Sequence, residues 1–267
     1  MLIGNQHIKV YFENIVANDV FSHAYLFHGP EGVGKRSFVL NLVENICGNM
    51  PGNPDLKIID KVRDQILIAD IRELKNFIYL TPFGKHKVAV INNAHNLTQD
   101  ASNALLKVLE EPPGKSVVFL ITHLPRQIVE TVLSRCQTWR FSPLKRKEIY
   151  DYLVGEKKAA REVASMVSEA ANGSLGKALE LADDFDGFKK NIALLERLMK
   201  ADFVLRFETA KKISVDYEDL KKTMGDWLVW SAGADKKLAG KLMRLNNVLS
   251  RPQFNHRLAL DNFLINV

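Results

Sequence analysis

Compact apolar runs alternate with helical spacings along the first 143 residues. Ala24-Tyr-Leu-Phe-His28 is a strand-sized run ending at a glycine loop. From Val39, the spacing Val39, Leu42, Val43, Ile46 predicts a helix with one buried stripe. Asp55-Leu-Lys-Ile-Ile59 reads as the next strand, and 68–79 as a helix carrying Ile71, Leu74, Phe77 and Ile78. Lys87-Val-Ala-Val-Ile91 is again a strand. A helix through Ala101, Ala104, Leu105 and Val108 follows, stopped at Pro112-Pro113-Gly114 because proline lacks the N–H and clashes with the preceding turn. Two further strands are expected at Ser116–Thr122 and Thr138–Phe141. Strands alternating with helices imply a mostly parallel sheet covered on both faces.

Beyond Pro143 the strand signal stops. Residues 145–154, 157–171 and 175–184 read as helices, with Val163, Met166, Val167 and Ala170 on one face and Asn172-Gly173-Ser174 as a turn. From about residue 188 the pattern stays helical, as in Leu238, Leu242, Leu245, Leu249 and then Leu260, Phe263, Leu264, Val267. The expected layout is an α/β domain over 1–143, a small helical domain over 144–187 and a helical bundle over 188–267.

Composition narrows the class without naming a function. A hydrophobic fraction of 46% and a charged fraction of 25% are those of an ordinary globular protein. No apolar run approaches the ~18–20 residues of a membrane span, and Met1-Leu-Ile-Gly-Asn-Gln-His-Ile-Lys9 lacks the basic-then-apolar order of a secretory signal. A cytoplasmic location away from membranes is the expectation. Cys47 and Cys136 are too few for a disulfide framework or a cysteine-only zinc site. The net charge of +6 permits work near nucleic acid, but the basic residues are dispersed, with Lys85-His-Lys87 and Lys145-Arg-Lys147 as the local clusters.

Gly29-Pro-Glu-Gly-Val-Gly-Lys35 follows a strand and opens a helix, the context of a phosphate-binding loop. Gly29, Gly32 and Gly34 would let backbone N–H groups turn inward, the helix N-terminus adds partial positive charge, and Lys35 can reach outer phosphates. The motif departs from the hydrolytic pattern at its end. A hydroxyl should follow the lysine to ligate Mg²⁺, yet Arg36 stands there and Ser37 comes one residue late. A helical step of about 100° would aim Ser37 away from the ion.

The acids are missing as well. In P-loop ATPases an acid after the apolar strand orients Mg²⁺, and in this superclass a second activates water. Here Val88-Ala-Val-Ile91 runs into Asn92-Asn93, followed by Ala94-His95. A carboxamide carries no charge and is no useful base near neutral pH. Asp60, ending another strand, is the substitute acid to weigh, although its flanks do not fit the motif. Hydrolysis is therefore not expected, while nucleotide binding stays open.

His23-Ala-Tyr-Leu-Phe-His-Gly-Pro-Glu-Gly-Val-Gly-Lys35 resembles the AAA+ clamp-loader proteins, as does Gln99-Asp-Ala-Ser-Asn-Ala-Leu-Leu-Lys-Val-Leu-Glu-Glu-Pro-Pro113. Ser134-Arg135-Cys136 matches that family's signature tripeptide, and the likeness continues through Gly173-Ser-Leu-Gly-Lys-Ala178 and Asn255-His-Arg-Leu-Ala-Leu260. The degenerate nucleotide motifs point to the delta-prime branch of the family rather than its ATP-hydrolysing gamma/tau branch. The resemblance implies an AAA+ domain, a lid and a collar through which five subunits form a ring. It also implies gamma/tau and delta subunits, the sliding clamp and primer-template DNA as partners.

By the same resemblance, Arg135 is an arginine finger pointing into a neighbouring subunit's ATP site. A guanidinium suits that task, being always charged and donating in a fixed fork. Lys177 stands where active relatives carry an arginine on the γ-phosphate, either as a weaker sensor or as a solvated lysine. Thr122 occupies the sensor-1 position, or simply caps its strand. Many relatives hold zinc through four cysteines after the loop helix; here Cys47–Asp55 is shortened and holds one, so no zinc is expected. Trp139 is expected in strand core and Trp227 and Trp230 in collar packing. The competing readings are an active clamp-loader ATPase and a regulatory subunit that binds ATP without splitting it.

Overall fold

The computed structural model describes residues 3–48, 52–62, 64–249, 251 and 254–267. Met1, Leu2 and the middle of the shortened Cys47–Asp55 stretch lie outside the described residues. The chain divides into one compact unit ending at Leu144 and a second running from Lys145 to Val267.

In the first unit, strands β1 (Ala24–His28), β2 (Leu56–Asp60), β3 (Lys87–Asn92), β4 (Ser116–Thr122) and β5 (Gln137–Arg140) form a parallel sheet in the order β2-β3-β4-β1-β5. Successive side chains on a strand point to opposite faces, and the core divides accordingly. Ala24, Leu26, Ala89, Ile91, Val118 and Leu120 pack on Ile71, Leu74 and Ile78 of α3 (Ile68–Ile78) and Ala101, Leu105 and Val108 of α4 (Gln99–Glu110). Tyr25, Phe27, Val88, Val90, Phe119 and Ile121 pack on α1 (Gln6–Asn18) and α2 (Lys35–Cys47) through Ile8, Phe12, Phe38, Val39 and Leu42. The short α5 (Glu130–Leu133) adds Val132 to the first face.

Strand positions agree with the sequence pattern within a residue. The expected strand at 55–59 lies at Leu56–Asp60, and Asp55 just before it is buried. Its buried carboxylate pairs with Lys87 Nζ at 2.8 Å and accepts the amides of Phe83 and Gly84. Burial pushes the Asp55 carboxyl up, but Lys87 and those two amides outweigh it and leave the group below its ordinary value. Helix α1 is an addition to the expected elements, though Ile8, Phe12 and Ile15 recur at helical spacing. Trp139 is only partly buried, its ring 4.3 Å from that of Tyr11 on α1.

The second unit is helical throughout its described elements: α6 (Arg146–Gly155), α7 (Arg161–Ala170), α8 (Leu175–Asp183), α9 (Phe185–Lys200), α10 (Phe203–Ile213), α11 (Tyr217–Ala234), α12 (Lys236–Leu249) and α13 (His256–Ile265). The helix expected over 157–171 begins only at Arg161. Lys158 takes φ 53°, which interrupts any helix, and the Ala159 amide closes instead on the Leu153 carbonyl. The turn at Asn172-Gly173 uses positive φ at both residues, and Ser174 caps α8 by accepting from the Lys177 amide. Helix α9 runs across position 188. Trp227 is fully buried, its indole N–H donating to the Asn191 carbonyl at 2.8 Å, whereas Trp230 is partly exposed.

Candidate functional site

The C-terminal ends of β1, β4, β3 and β2 lie side by side and bring four sequence segments together. The loop 29–34 joins β1 to α2 with Gly29, Gly32 and Gly34 all at positive φ. At Gly29 the φ of 141° is compounded by crowding: a Cβ there would sit 2.2 Å from the Phe141 carbonyl oxygen. Phe141 in turn donates its amide to the His28 carbonyl, locking the start of the loop to the end of β5.

Lys35 opens α2 and is 6% exposed. Its Nζ donates to the carbonyls of Gly29 at 2.8 Å and Pro30 at 2.6 Å, so the ammonium lies folded inside the loop. Burial pushes its pKa down to about 8, with Glu31 opposing. Burial, with Arg140 and Lys35 adding to it, also lowers the His28 pKa. His95 is lowered by burial and then by His123, whose ring lies 4.4 Å away. Each of these groups would gain from a nearby anion, so the loop's polarity fits a phosphate.

The metal position does not fit. Arg36 Nε–H donates to Asp60 Oδ2 at 2.9 Å, and the Asn92 side-chain amide donates to Asp60 Oδ1 at 2.7 Å. Asp60 and Asn92 are register partners on β2 and β3. The acid weighed as a substitute therefore does stand beside the degenerate strand, but both its oxygens are already engaged. Asn92 turns its N–H side toward Asp60, Asn93 leads into a single 3-10 turn at φ 52°, and Ser37 is exposed. A divalent cation needs oxygens facing it; here a guanidinium takes the carboxylate instead. Among the described residues no group of three or more His, Cys, Asp or Glu side chains gathers as a metal site.

Thr122 is 1% exposed and occupied. Its hydroxyl accepts the Leu124 amide at 3.0 Å, just past the end of β4, and lies 3.1 Å from His95 Nδ1. Lys177 belongs to the second unit, where it pairs with Glu180 at 3.1 Å.

Arg135 lies at the other end of β1. Its carbonyl accepts from His23 Nε2–H at 3.0 Å, and His23 immediately precedes that strand. From His23 to Gly29 the chain covers roughly 20 Å, at ~3.3 Å per strand residue. The tripeptide has a local logic. Ser134 Oγ–H donates to the Thr131 carbonyl, Cys136 packs against the core face, and Arg135 between them is left at the surface. Its Nη1 donates to the Thr131 carbonyl at 2.9 Å, and its Nη2 pairs with Glu110 at 2.7 Å. Glu110 and His23 were not singled out as functional in the sequence, since neither sits at a recognisable spacing from Arg135. Burial raises the Cys136 thiol to about 12 and Cys47 to about 11, so both thiols are poor nucleophiles. No helix among the described residues is long and apolar enough to cross a membrane.

The chain resembles known proteins in sequence and in fold. The DNA polymerase III subunit delta' of Bacillus subtilis is 34% identical over 192 aligned residues, covering 64% of this chain and 58% of that protein. The tau subunit of the same organism is 30% identical over 218, covering 73% of this chain and 39% of that protein. The chain thus spans less than two thirds of the length of these relatives. Among solved structures, a gamma-subunit-related protein of Thermotoga maritima superposes with a TM-score of 0.60 at 20% identity, covering 96% of this chain and 97% of that one. The Thermotoga maritima RuvB branch-migration motor gives 0.52 at 15% identity over 73% of this chain and 64% of that one. These likenesses support the P-loop AAA+ fold of the first unit. The sequence profile described as "DNA polymerase III, delta subunit" matches residues 4–145, more than half of the chain and all of the loop, strand and arginine features above, and the chain belongs to that family.

Proposed function

We propose that this chain is a delta-prime-type subunit of a bacterial DNA polymerase III clamp loader. In this reading it splits no ATP of its own and lends Arg135 to an ATP held by the next subunit. It is an accessory part of the replicative polymerase holoenzyme, working in the cytoplasm. Residues 144–187 act as lid and 188–267 as collar. Gamma/tau and delta subunits complete a five-membered ring that opens the sliding clamp and places it on primer-template DNA.

The observation that carries this reading is the contrast between the two ends of β1. At one end, Arg36 and Asn92 occupy Asp60, the carboxylate that stands beside the degenerate strand. At the other, Arg135 is at the surface, too far along the strand to serve the chain's own loop. An arginine finger supplied in trans is worth roughly 10³–10⁵ in rate in the best-studied cases. The test is reconstitution with the ATPase partner, following phosphate release with DNA and clamp present. Arg135→Ala is expected to assemble normally and to lower stimulated hydrolysis by at least about tenfold, a conservative fraction of that range. Unchanged hydrolysis would remove the assignment, and Mg²⁺-dependent turnover by the isolated chain, abolished by Lys35→Ala, would overturn the non-hydrolysing reading.

The intact glycine loop with Lys35 supports a second property of the same subunit, retention of nucleotide without cleavage. Lys35 and the amides of 32–35 would hold the phosphates. Calorimetry with ATP checks this, and no heat at millimolar nucleotide counts against it.

A further inference from the structure

Arg135 is not loose on the surface. Its backbone is tied to His23, its Nη1 to the Thr131 carbonyl and its Nη2 to Glu110, and all three holders come from the first unit. Thr131 belongs to the same turn and moves with Arg135, and His23 fixes only the main chain. Glu110 is different. It is the last residue of α4, well upstream in the chain, and Pro112 and Pro113 prevent the helix from carrying it farther. The Glu110 side chain is 47% exposed and that of Arg135 is 35% exposed, so the pair is open to solvent and to an anion arriving from outside.

We propose that Glu110 is a positioning residue for Arg135: it fixes the guanidinium's plane and heading while leaving further N–H donors for an anion. This rests on the finger reading above. A guanidinium has five N–H groups in a rigid fork, and the Thr131 and Ser134 contacts of Nη1, with the Glu110 ion pair at Nη2, leave Nε–H unspent among the described residues. A long unpaired arginine must surrender its rotamer freedom on reaching the phosphate. One already held surrenders less, and the saving appears in the rate once the complex has formed. The same pair could instead act as a latch that withholds the arginine, and the two roles predict opposite signs.

The experiment is a double-mutant cycle in the reconstituted complex with Glu110→Gln, Arg135→Ala and both together. It reads kcat and KM of DNA-stimulated hydrolysis, with assembly followed by gel filtration. Glu110→Gln keeps the shape and removes the charge. We expect kcat to fall about threefold or more with KM unchanged, in line with a half-exposed ion pair, and no further fall when Glu110→Gln is combined with Arg135→Ala. A kcat at or above wild type in Glu110→Gln would support a latch and overturn positioning. An equal fall on both backgrounds would mean that Glu110 acts through the fold and not through Arg135, which also overturns it. If Arg135→Ala itself leaves hydrolysis unchanged, the finger reading fails first and the Glu110 proposal goes with it.

Discussion

The buried ammonium of Lys35 gives a prediction that can be worked through in numbers. Its pKa is lowered from 10.5 in the unfolded chain to about 8 in the fold, chiefly by burial. Between those values the unfolded chain binds the extra proton, so folding stability must rise with pH across that window and be flat in this respect below it. At about 1.4 kcal/mol per pH unit, the full interval is worth roughly 3 kcal/mol, of which about 2.5 kcal/mol falls between pH 7 and pH 10. Other groups titrate there too. The two thiols, raised to about 11 and 12, ionise only in the unfolded chain above pH 9 and pull the other way. A difference measurement removes them. Urea unfolding of wild type and Lys35→Met across pH 7–10 should give a stability difference that shifts by about 2.5 kcal/mol in favour of wild type as pH rises. A shift under about 1 kcal/mol would refute the claim that the lysine is held desolvated inside the loop. The functional corollary is that phosphate returns the lysine toward its ordinary pKa. Binding of ATP at pH 8.5 should then take up protons, seen as buffer-dependent heats.

Asp60→Ala removes the Arg36 ion pair and leaves the Asn92 amide, 9% exposed, without its acceptor; a loss of about 1–2 kcal/mol in urea unfolding is expected, and Mg²⁺ should not change the wild-type melting temperature. Gly29→Ala forces a side chain into positive φ against the Phe141 carbonyl, and should cost at least about 2 kcal/mol by the same assay. Lys87→Met breaks the pair with Asp55, in which both side chains are at least nine-tenths buried, and should cost about 3 kcal/mol by leaving the buried carboxylate with only the Phe83 and Gly84 amides. Asp55 also sets an acid limit. Its carboxyl lies below 3.8 in the fold, so the stability it contributes is complete above that value and is lost as pH falls through the folded pKa. Acid unfolding of wild type should include this loss, and the Asp55→Ala chain should not show it.

Much of the fold was legible because the signals that specify it are local. Strand alternation and helix spacing are read within short windows, and Tyr25 and Leu26 did go to opposite faces of the sheet. The glycine loop was equally local, since repeated positive φ, 141° at Gly29 above all, is tolerated without strain by glycine. Helix α1 carried an apolar stripe that would have predicted it, while Lys158 at φ 53° carried no signal at all, lysine being an ordinary helix former.

The sequence by itself determined what the chain lacks: a hydroxyl after Lys35 and acids at Asn92 and Asn93. It could not determine what the remaining charges do. Arg36 reaches Asp60 across 24 positions, Asn92 reaches the same carboxylate across 32, and Glu110 reaches Arg135 from the end of α4. A charged residue on a solvated face and one in a long-range pair look alike in a sequence, because such pairing leaves no periodicity. Only the tertiary structure, which sets β2 beside β3 in parallel register and the end of α4 beside α5, turned an orphan acid into the partner of Arg36 and placed a carboxylate on the arginine that faces outward.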